Sequence, residues 1–236
     1  MIMMTTAEYT ISHATNQFKL KDPGSAITHF IGMLMAIFAA PSLILKALAA
    51  PEPIYAVSLT IFIVSMILLY GASTLYHTFD LSPSANTLLK KLDHCMIFVM
   101  IAGSYTPICL IVLHGKVGYA LLALVWGIAI LGILFKLCWV TCPKWISSIL
   151  YITMGWVCVL AFAQIFRALP TAAFAWLLAG GIIYTIGGVI YALKLPLFNS
   201  RHKNFGSHEI FHVFIMVGSI CHFIVMYQYV AVFPLA

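Results

Sequence analysis

Ser207-His208-Glu209-Ile210-Phe211-His212-Val213-Phe214-Ile215-Met216-Val217-Gly218-Ser219-Ile220-Cys221-His222-Phe223 places three histidines in an apolar run that continues towards the C-terminus. The spacing of His208 and His212 is four residues. On a helix both imidazoles therefore share one face, about one turn apart. His222 comes fourteen residues after His208 and returns to roughly the same face. Ionisable side chains in a segment bound for lipid are costly and mark function by default. A lone histidine there reads as a hydrogen-bonded core residue, whereas a His-x-x-x-His pair points to a metal.

The rest of the chain supplies the lipid setting. Of its 236 residues 63% are hydrophobic and only 8% charged, with a mean hydropathy of +1.06. Soluble domains carry about a quarter charged residues, so composition alone implies a membrane protein. Apolar blocks of about twenty residues match helical crossings. A transmembrane barrel would show short alternating segments instead. The net charge of +6 does not form a stripe. The basic residues sit at helix ends, a topology signal and not a nucleic-acid surface. Cys95, Cys109, Cys138, Cys142, Cys158 and Cys221 fall mostly within expected helices. They read as small apolar residues, because Cys138 and Cys142 have no second pair to make a zinc ribbon. No cleavable signal peptide is evident, and the first long apolar run is expected to act as its own insertion signal.

The sequence predicts an all-α fold: a seven-helix transmembrane bundle after a polar segment over residues 1–23. The expected spans are about 24–48, 53–77, 92–113, 117–139, 145–166, 172–193 and 207–232. Pro41 marks a candidate kink in the first. Gly103-Ser104-Tyr105-Thr106-Pro107 should bend the third, where Ser or Thr hydroxyls can satisfy freed backbone groups. Gly180, Gly181, Gly187 and Gly188 suit close helix packing in the sixth. No convincing internal repeat supports an inverted-repeat transporter. Short connections argue against a soluble domain.

Lysine and arginine set the expected orientation. Nine lie on the N-terminal side (Lys19, Lys21, Lys90, Lys91, Lys136, Lys144, Lys194, Arg201, Lys203), and three on the other (Lys46, Lys116, Arg167). The positive-inside rule then puts the N-terminus in the cytoplasm and the C-terminus outside. On that topology Ser73 and His77 end helix two on the cytoplasmic side. Asp93 falls in the first turn of helix three, and His208 and His212 open helix seven at the same depth. Three neutral imidazoles with an open fourth position make a catalytic zinc pattern, and zinc brings the pKa of a bound water towards about 7. His77, His208 and His212 are the candidate metal ligands. Asp93 is the candidate for handling the proton, and Ser73 the candidate for a hydrogen bond to a developing oxyanion.

Other polar residues read differently. Asp93 alone could be a helix N-terminal carboxylate, and Ser73 a small contact residue. His94 points about 100° away from Asp93 and reads as structural. His29, His114 and His202 read as interfacial. His222 lies some 20 Å along the helix from His208, too far for the same metal, and reads as a hydrogen-bonded core residue. His208-Glu209-Ile210-Phe211-His212 also matches the His-Glu-x-x-His of zinc proteases, with Glu209 as base. Here Asp93 ranks above Glu209 for that role.

Several motifs together resemble the hemolysin III family, the bacterial branch of the progestin and adiponectin receptor family. They are Ser73-Thr74-Leu75-Tyr76-His77, Leu92-Asp93-His94 with Ala102-Gly103-Ser104-Tyr105-Thr106-Pro107, Gly180-Gly181 with Tyr184, Gly187 and Tyr191, and Ser207-His208-Glu209-Ile210-Phe211-His212. The resemblance implies a seven-helix bundle with zinc on His77, His208 and His212, with Asp93 and Ser73 close by. The wider superfamily includes alkaline ceramidases, which share this residue set and hydrolyse a lipid amide. Asp22-Pro23-Gly24-Ser25-Ala26-Ile27-Thr28-His29 keeps only part of the family's pattern there, which puts a role for the N-terminal segment in doubt. The expected protein is a multi-pass, zinc-binding protein of the cell (inner) membrane that hydrolyses an amide or ester of a membrane lipid. The alternative is a non-enzymatic membrane-homeostasis or receptor-like protein with structural zinc, to which cytolysis attaches as a family label. An intramembrane metalloprotease ranks below both.

Overall fold

Proline opens the first three helices. Pro23, Pro53 and Pro83 each stand at a first-turn position, where the missing N–H costs nothing and the fixed φ suits a helix. The computed structural model describes residues 20–193 and 206–235. Expectations for residues 1–19 and for Lys194, Arg201, His202 and Lys203 lie outside the described residues. The helices are α1 (Pro23–Leu48), α2 (Pro53–Thr78), α3 (Pro83–Pro107), α4 (Lys116–Cys138), α5 (Lys144–Gly155), α6 (Phe162–Ala168), α7 (Thr171–Leu193) and α8 (Ser207–Gln228). With their one-turn extensions they make seven spans long and apolar enough to cross a membrane, and the described residues contain no strand.

Two spans differ from the expected boundaries. The third begins at Pro83, about two and a half turns before Leu92, with Ser82 Oγ accepting the Ala85 N–H at 3.3 Å as an N-cap. Asp93 therefore lies ten residues inside α3, not in its first turn. The same span runs through Gly103–Pro107 and widens afterwards into a π-turn, Ile108–Val112, closed by Leu113 N–H to Ile108 C=O at 2.9 Å. The fifth span is interrupted between α5 and α6 by a 3₁₀ turn over Trp156–Ala161. Tyr105 from α3 bridges that break. Its hydroxyl donates to Gly155 C=O at 2.6 Å and accepts the Cys158 N–H at 2.9 Å, which satisfies backbone groups that lipid could not.

The helices close into a ring. α1 packs on α2, α2 on α3, α3 on α4, α5 on α7, α7 on α8, and α8 returns to α1. The third span is the most enclosed, at 67% buried. Large apolar side chains face outwards, with Phe38, Leu131 and Leu160 all more than two-thirds exposed. That face would be untenable in water and is ordinary in lipid. Gly180, Gly187 and Gly188 of α7 let His222, Phe214 and Ile152 sit where a Cβ would press, whereas Gly181 meets no neighbour and borders an internal cavity.

Lys136, counted among the surface charges, is fully buried. Its Nζ donates to Ser147 Oγ at 2.5 Å and to Cys142 Sγ at 3.1 Å, so its ammonium is hydrogen-bonded between α4 and α5. It stands in the last turn of α4 but is enclosed by protein, unlike a charge at the membrane surface. Removing it from the nine leaves eight against three.

Candidate metal centre

His77 stands in the last turn of α2, and His208 and His212 in the first two turns of α8. The bundle brings one ring nitrogen from each within 4.8 Å of the others. His77 Nε2 and His208 Nε2 face each other at 3.1 Å. Two nitrogens held about 2.05 Å from one tetrahedral ion lie ~3.4 Å apart. The 3.1 Å separation lies just below that value and the others stay within 4.8 Å, so the donor set and its spacing could hold a small metal ion.

A second layer orients two of these rings, and it comes from the start of α1. Asp22 Oδ2 accepts from His77 Nδ1 at 2.9 Å. This hydrogen bond, with the charge of Lys21 beside it, holds the Asp22 carboxyl below the usual carboxylate range against the opposing effect of burial. Asp22 is placed by its own main chain, whose N–H donates to His77 C=O at 2.9 Å, while Lys21 N–H reaches Thr78 C=O. Thr28 spends its hydroxyl hydrogen on the Gly24 or Ser25 carbonyl, at 2.9 and 3.0 Å. Its oxygen is therefore free to accept from His212 Nδ1 at 3.1 Å. Both contacts put the ring proton on Nδ1 and leave the Nε2 lone pair available to a metal, the arrangement in which a carboxylate or hydroxyl fixes a ligand's tautomer.

This corrects two expectations. The segment Asp22–His29 has a defined place: it braces the centre. His29 is not interfacial. It is 3% exposed, its ring stacks on His212 with centroids 3.5 Å apart and 10° between planes, and it meets Tyr70 edge-on. The one mark in the sequence is that Ser25 and His29 stand one turn apart at the entry to a lipid-crossing run, which does not show that they meet the cluster.

Ser73 and Asp93 are both buried and border one cavity with His208 and His212. Ser73 is one turn before His77 on α2, and Asp93 comes from α3 beside it. The Ser73 hydroxyl lies beside the Asp93 carboxyl, and His208 Nδ1 is buried without a hydrogen-bond partner. The cavity has a volume of about 190 Å³ and extends from His208 and His212 along α3, α5 and α7, past His222, to Phe162, Ile165 and Phe174. Glu209 lies elsewhere. Its Oε2 accepts the Gly206 N–H at 2.7 Å and its Oε1 accepts from Ser25 Oγ at 2.5 Å, so both oxygens are engaged in capping α8 and tying it to α1. His94 borders the cavity with Nδ1 unpartnered, and His114 is exposed with Nδ1 on its own helix. His222 is packed in the interior as expected, but neither ring nitrogen has the expected hydrogen bond.

A multi-pass helical membrane protein with a three-histidine, metal-capable cluster at one end of an internal cavity is the class that fold and site define. The model of the Haemolysin-III related family matches residues 18–223, and the chain belongs to that family. It is 38% identical to Hemolysin-3 of Bacillus cereus, over 91% of this chain and 94% of the relative. It is 37% identical to the Hemolysin-3 homolog of Bacillus subtilis, over 92% and 98%. A weaker likeness links it to the Adiponectin receptor protein of Drosophila melanogaster, 26% identical over 86% of this chain and 49% of that protein.

Proposed function

We propose that this protein is a zinc-dependent hydrolase that cleaves an amide or ester bond of a membrane lipid, with His77, His208 and His212 as ligands and the reaction on the cytoplasmic side. The observation that carries this reading is the cavity, because it joins His208, His212, Ser73 and Asp93 to a long, largely apolar passage inside the bundle. A purely structural cluster would not need to border one.

Bound there, zinc would supply Lewis acidity towards the scissile carbonyl and acidify a water at neutral pH. The protein's part is positioning and proton handling. Asp22 and Thr28 hold the His77 and His212 rings so that Nε2 of each points inward. The Asp93 carboxylate takes the proton of the attacking water and returns it to the departing nitrogen or oxygen. The Ser73 hydroxyl, which borders the cavity beside Asp93, donates to the carbonyl oxygen as charge develops on it. The apolar walls hold the hydrocarbon part of the substrate and exclude bulk water.

Metal content and lipid hydrolysis of the purified protein test this. Wild type is expected to carry one zinc per chain and to cleave at least one member of a broad panel of lipid amides and esters. Asp93→Asn should keep the zinc and lose activity by on the order of 10²–10⁴-fold. Zinc at full occupancy with no cleavage across the panel overturns the hydrolase reading.

One observation favours a second reading, a non-enzymatic membrane-homeostasis or receptor-like protein with structural zinc. The centre ties α1, α2 and α8 together through Asp22–His77, Thr28–His212 and Ser25–Glu209. Under that reading chelation melts the bundle and Asp93→Asn changes nothing measurable.

A further inference from the structure

Partway along the cavity stands a second polar group. His222 lies ten residues beyond His212 on α8, about 15 Å along the helix axis. It borders the same cavity as the metal-capable cluster, and both its ring nitrogens are buried without a partner. The ring is seated, not loose. A Cβ at Gly180 of α7 would overlap it, so glycine there makes the seat, and Tyr184 lies against it with ring centroids 5.2 Å apart. Tyr184 is itself held. Its hydroxyl meets Ser219 Oγ at 2.9 Å, Ser219 accepts from Tyr70 at 2.7 Å, and the Tyr184 ring fills the space left by Gly218. Three helices thus fix an imidazole that lines the cavity and whose two nitrogens meet no hydrogen-bonding protein group, Nε2 lying over Gly180. Buried polar groups are nearly always satisfied, and those without a protein partner are satisfied by a water or a ligand. A neutral imidazole offers one donor and one acceptor.

We propose that His222 is a second polar station of the cavity, which binds a hydroxyl carried on the hydrocarbon chain of the lipid well away from the group held at the histidine cluster. This rests on the reading that the cavity accommodates a lipid chain. The distance selects the position. About 15 Å from the cluster corresponds to about twelve carbons of an extended chain. The two-ended match would make the protein selective for mid-chain hydroxylated lipids over their plain counterparts, which find only an unpaired imidazole at that depth.

The test uses the full-length protein in nanodiscs and two probes, octadecanoic acid and the same acid hydroxylated at its twelfth carbon. Affinities are read by native mass spectrometry and by thermal shift. Wild type should bind the hydroxylated acid at least tenfold more tightly. His222→Leu should erase the preference by weakening the hydroxylated acid while the plain acid holds or gains. His222→Gln, which keeps a donor and an acceptor, should retain part of it. An acid hydroxylated at its second carbon serves as the positional control and should respond to none of these changes. Equal binding of the two probes by wild type, or a preference that survives His222→Leu in a folded protein, overturns the proposal and leaves His222 satisfied by water. Because the readout is binding, a protein that binds selectively but hydrolyses nothing counts against the hydrolase reading and not against this one.

Discussion

At the scale of single residues, the centre depends on protons being in the right place. Asp22 and Thr28 each accept from an Nδ1, which commits His77 and His212 to presenting Nε2. Such outer contacts are worth about 10–100-fold in metal affinity. Asp22→Asn should therefore weaken zinc binding by about 10–100-fold, measured by competition with a chromophoric chelator, while a saturated sample retains its fold. His77→Ala, His208→Ala and His212→Ala should each reduce zinc per chain to near zero by elemental analysis of purified, monodisperse protein. A variant that keeps full zinc removes that residue from the ligand set. The pairing of His208 with His212 was legible because helical spacing puts them on one face. Their joining with His77 was legible only through topology, which sets the end of α2 beside the start of α8. The Asp22, Thr28 and His29 contacts were not, because Asp22 stands just outside the helix and reaches His77 through an unpatterned main-chain pairing with Thr78 and His77. His29 was misread as interfacial because depth along a helix does not reveal which way a ring turns. Its stacking on His212 is a tertiary fact.

Elements show the same division between local signal and tertiary choice. Seven apolar runs were legible as seven spans because lipid forces backbone groups to pair within a segment. The early start of α3 was hidden by polar residues at Ser84, Asn86 and Thr87, which look like a loop and yet sit behind an N-cap and a first-turn proline. The interruption of the fifth span has only Gly155 as a local mark, and the Tyr105 hydroxyl that satisfies its backbone comes from another helix. Glu209 is the element-scale case with a direct test. It caps α8 and links it to α1 through Ser25, whereas the His-Glu-x-x-His pattern would make it the base of a protease. Glu209→Ala removes a cap, a change that costs about 0.5–2 kcal/mol. The expected result is a lower melting temperature with zinc per chain unchanged and any lipid hydrolysis retained in the folded fraction. Loss of hydrolysis with an unchanged melting temperature would restore Glu209 to the chemistry and remove it from the cap. Tyr105→Phe should behave as a structural change too, destabilising the bundle through the unpaired Gly155 carbonyl and Cys158 N–H by about 1–3 kcal/mol.

For the whole molecule, the arrangement converts one topological fact into a functional one. Asp22 and Thr28 stand at the start of α1, His77 at the end of α2, Asp93 in the first half of α3, and His208 and His212 at the start of α8. All of these lie towards the membrane face at which the N-terminus enters, because successive spans alternate in direction. The side on which the centre works is therefore the side of the N-terminus. The burial of Lys136 removes one charge from the topology count, and the remaining eight against three still favours a cytoplasmic N-terminus by the positive-inside rule. With seven spans the C-terminus should then be outside. Paired C-terminal fusions test this in bacterial cells. An alkaline phosphatase fusion, which is active only after export, should be active, and a green fluorescent protein fusion, which fluoresces only when folded in the cytoplasm, should be dark. The reverse pattern would move the histidine cluster to the outer half, bring substrate from the outer leaflet, and expose the metal to external chelators in intact cells. The expected orientation makes the converse prediction. A membrane-impermeant chelator added to intact cells should leave zinc in the protein, and the same chelator added to inverted membrane vesicles should remove it.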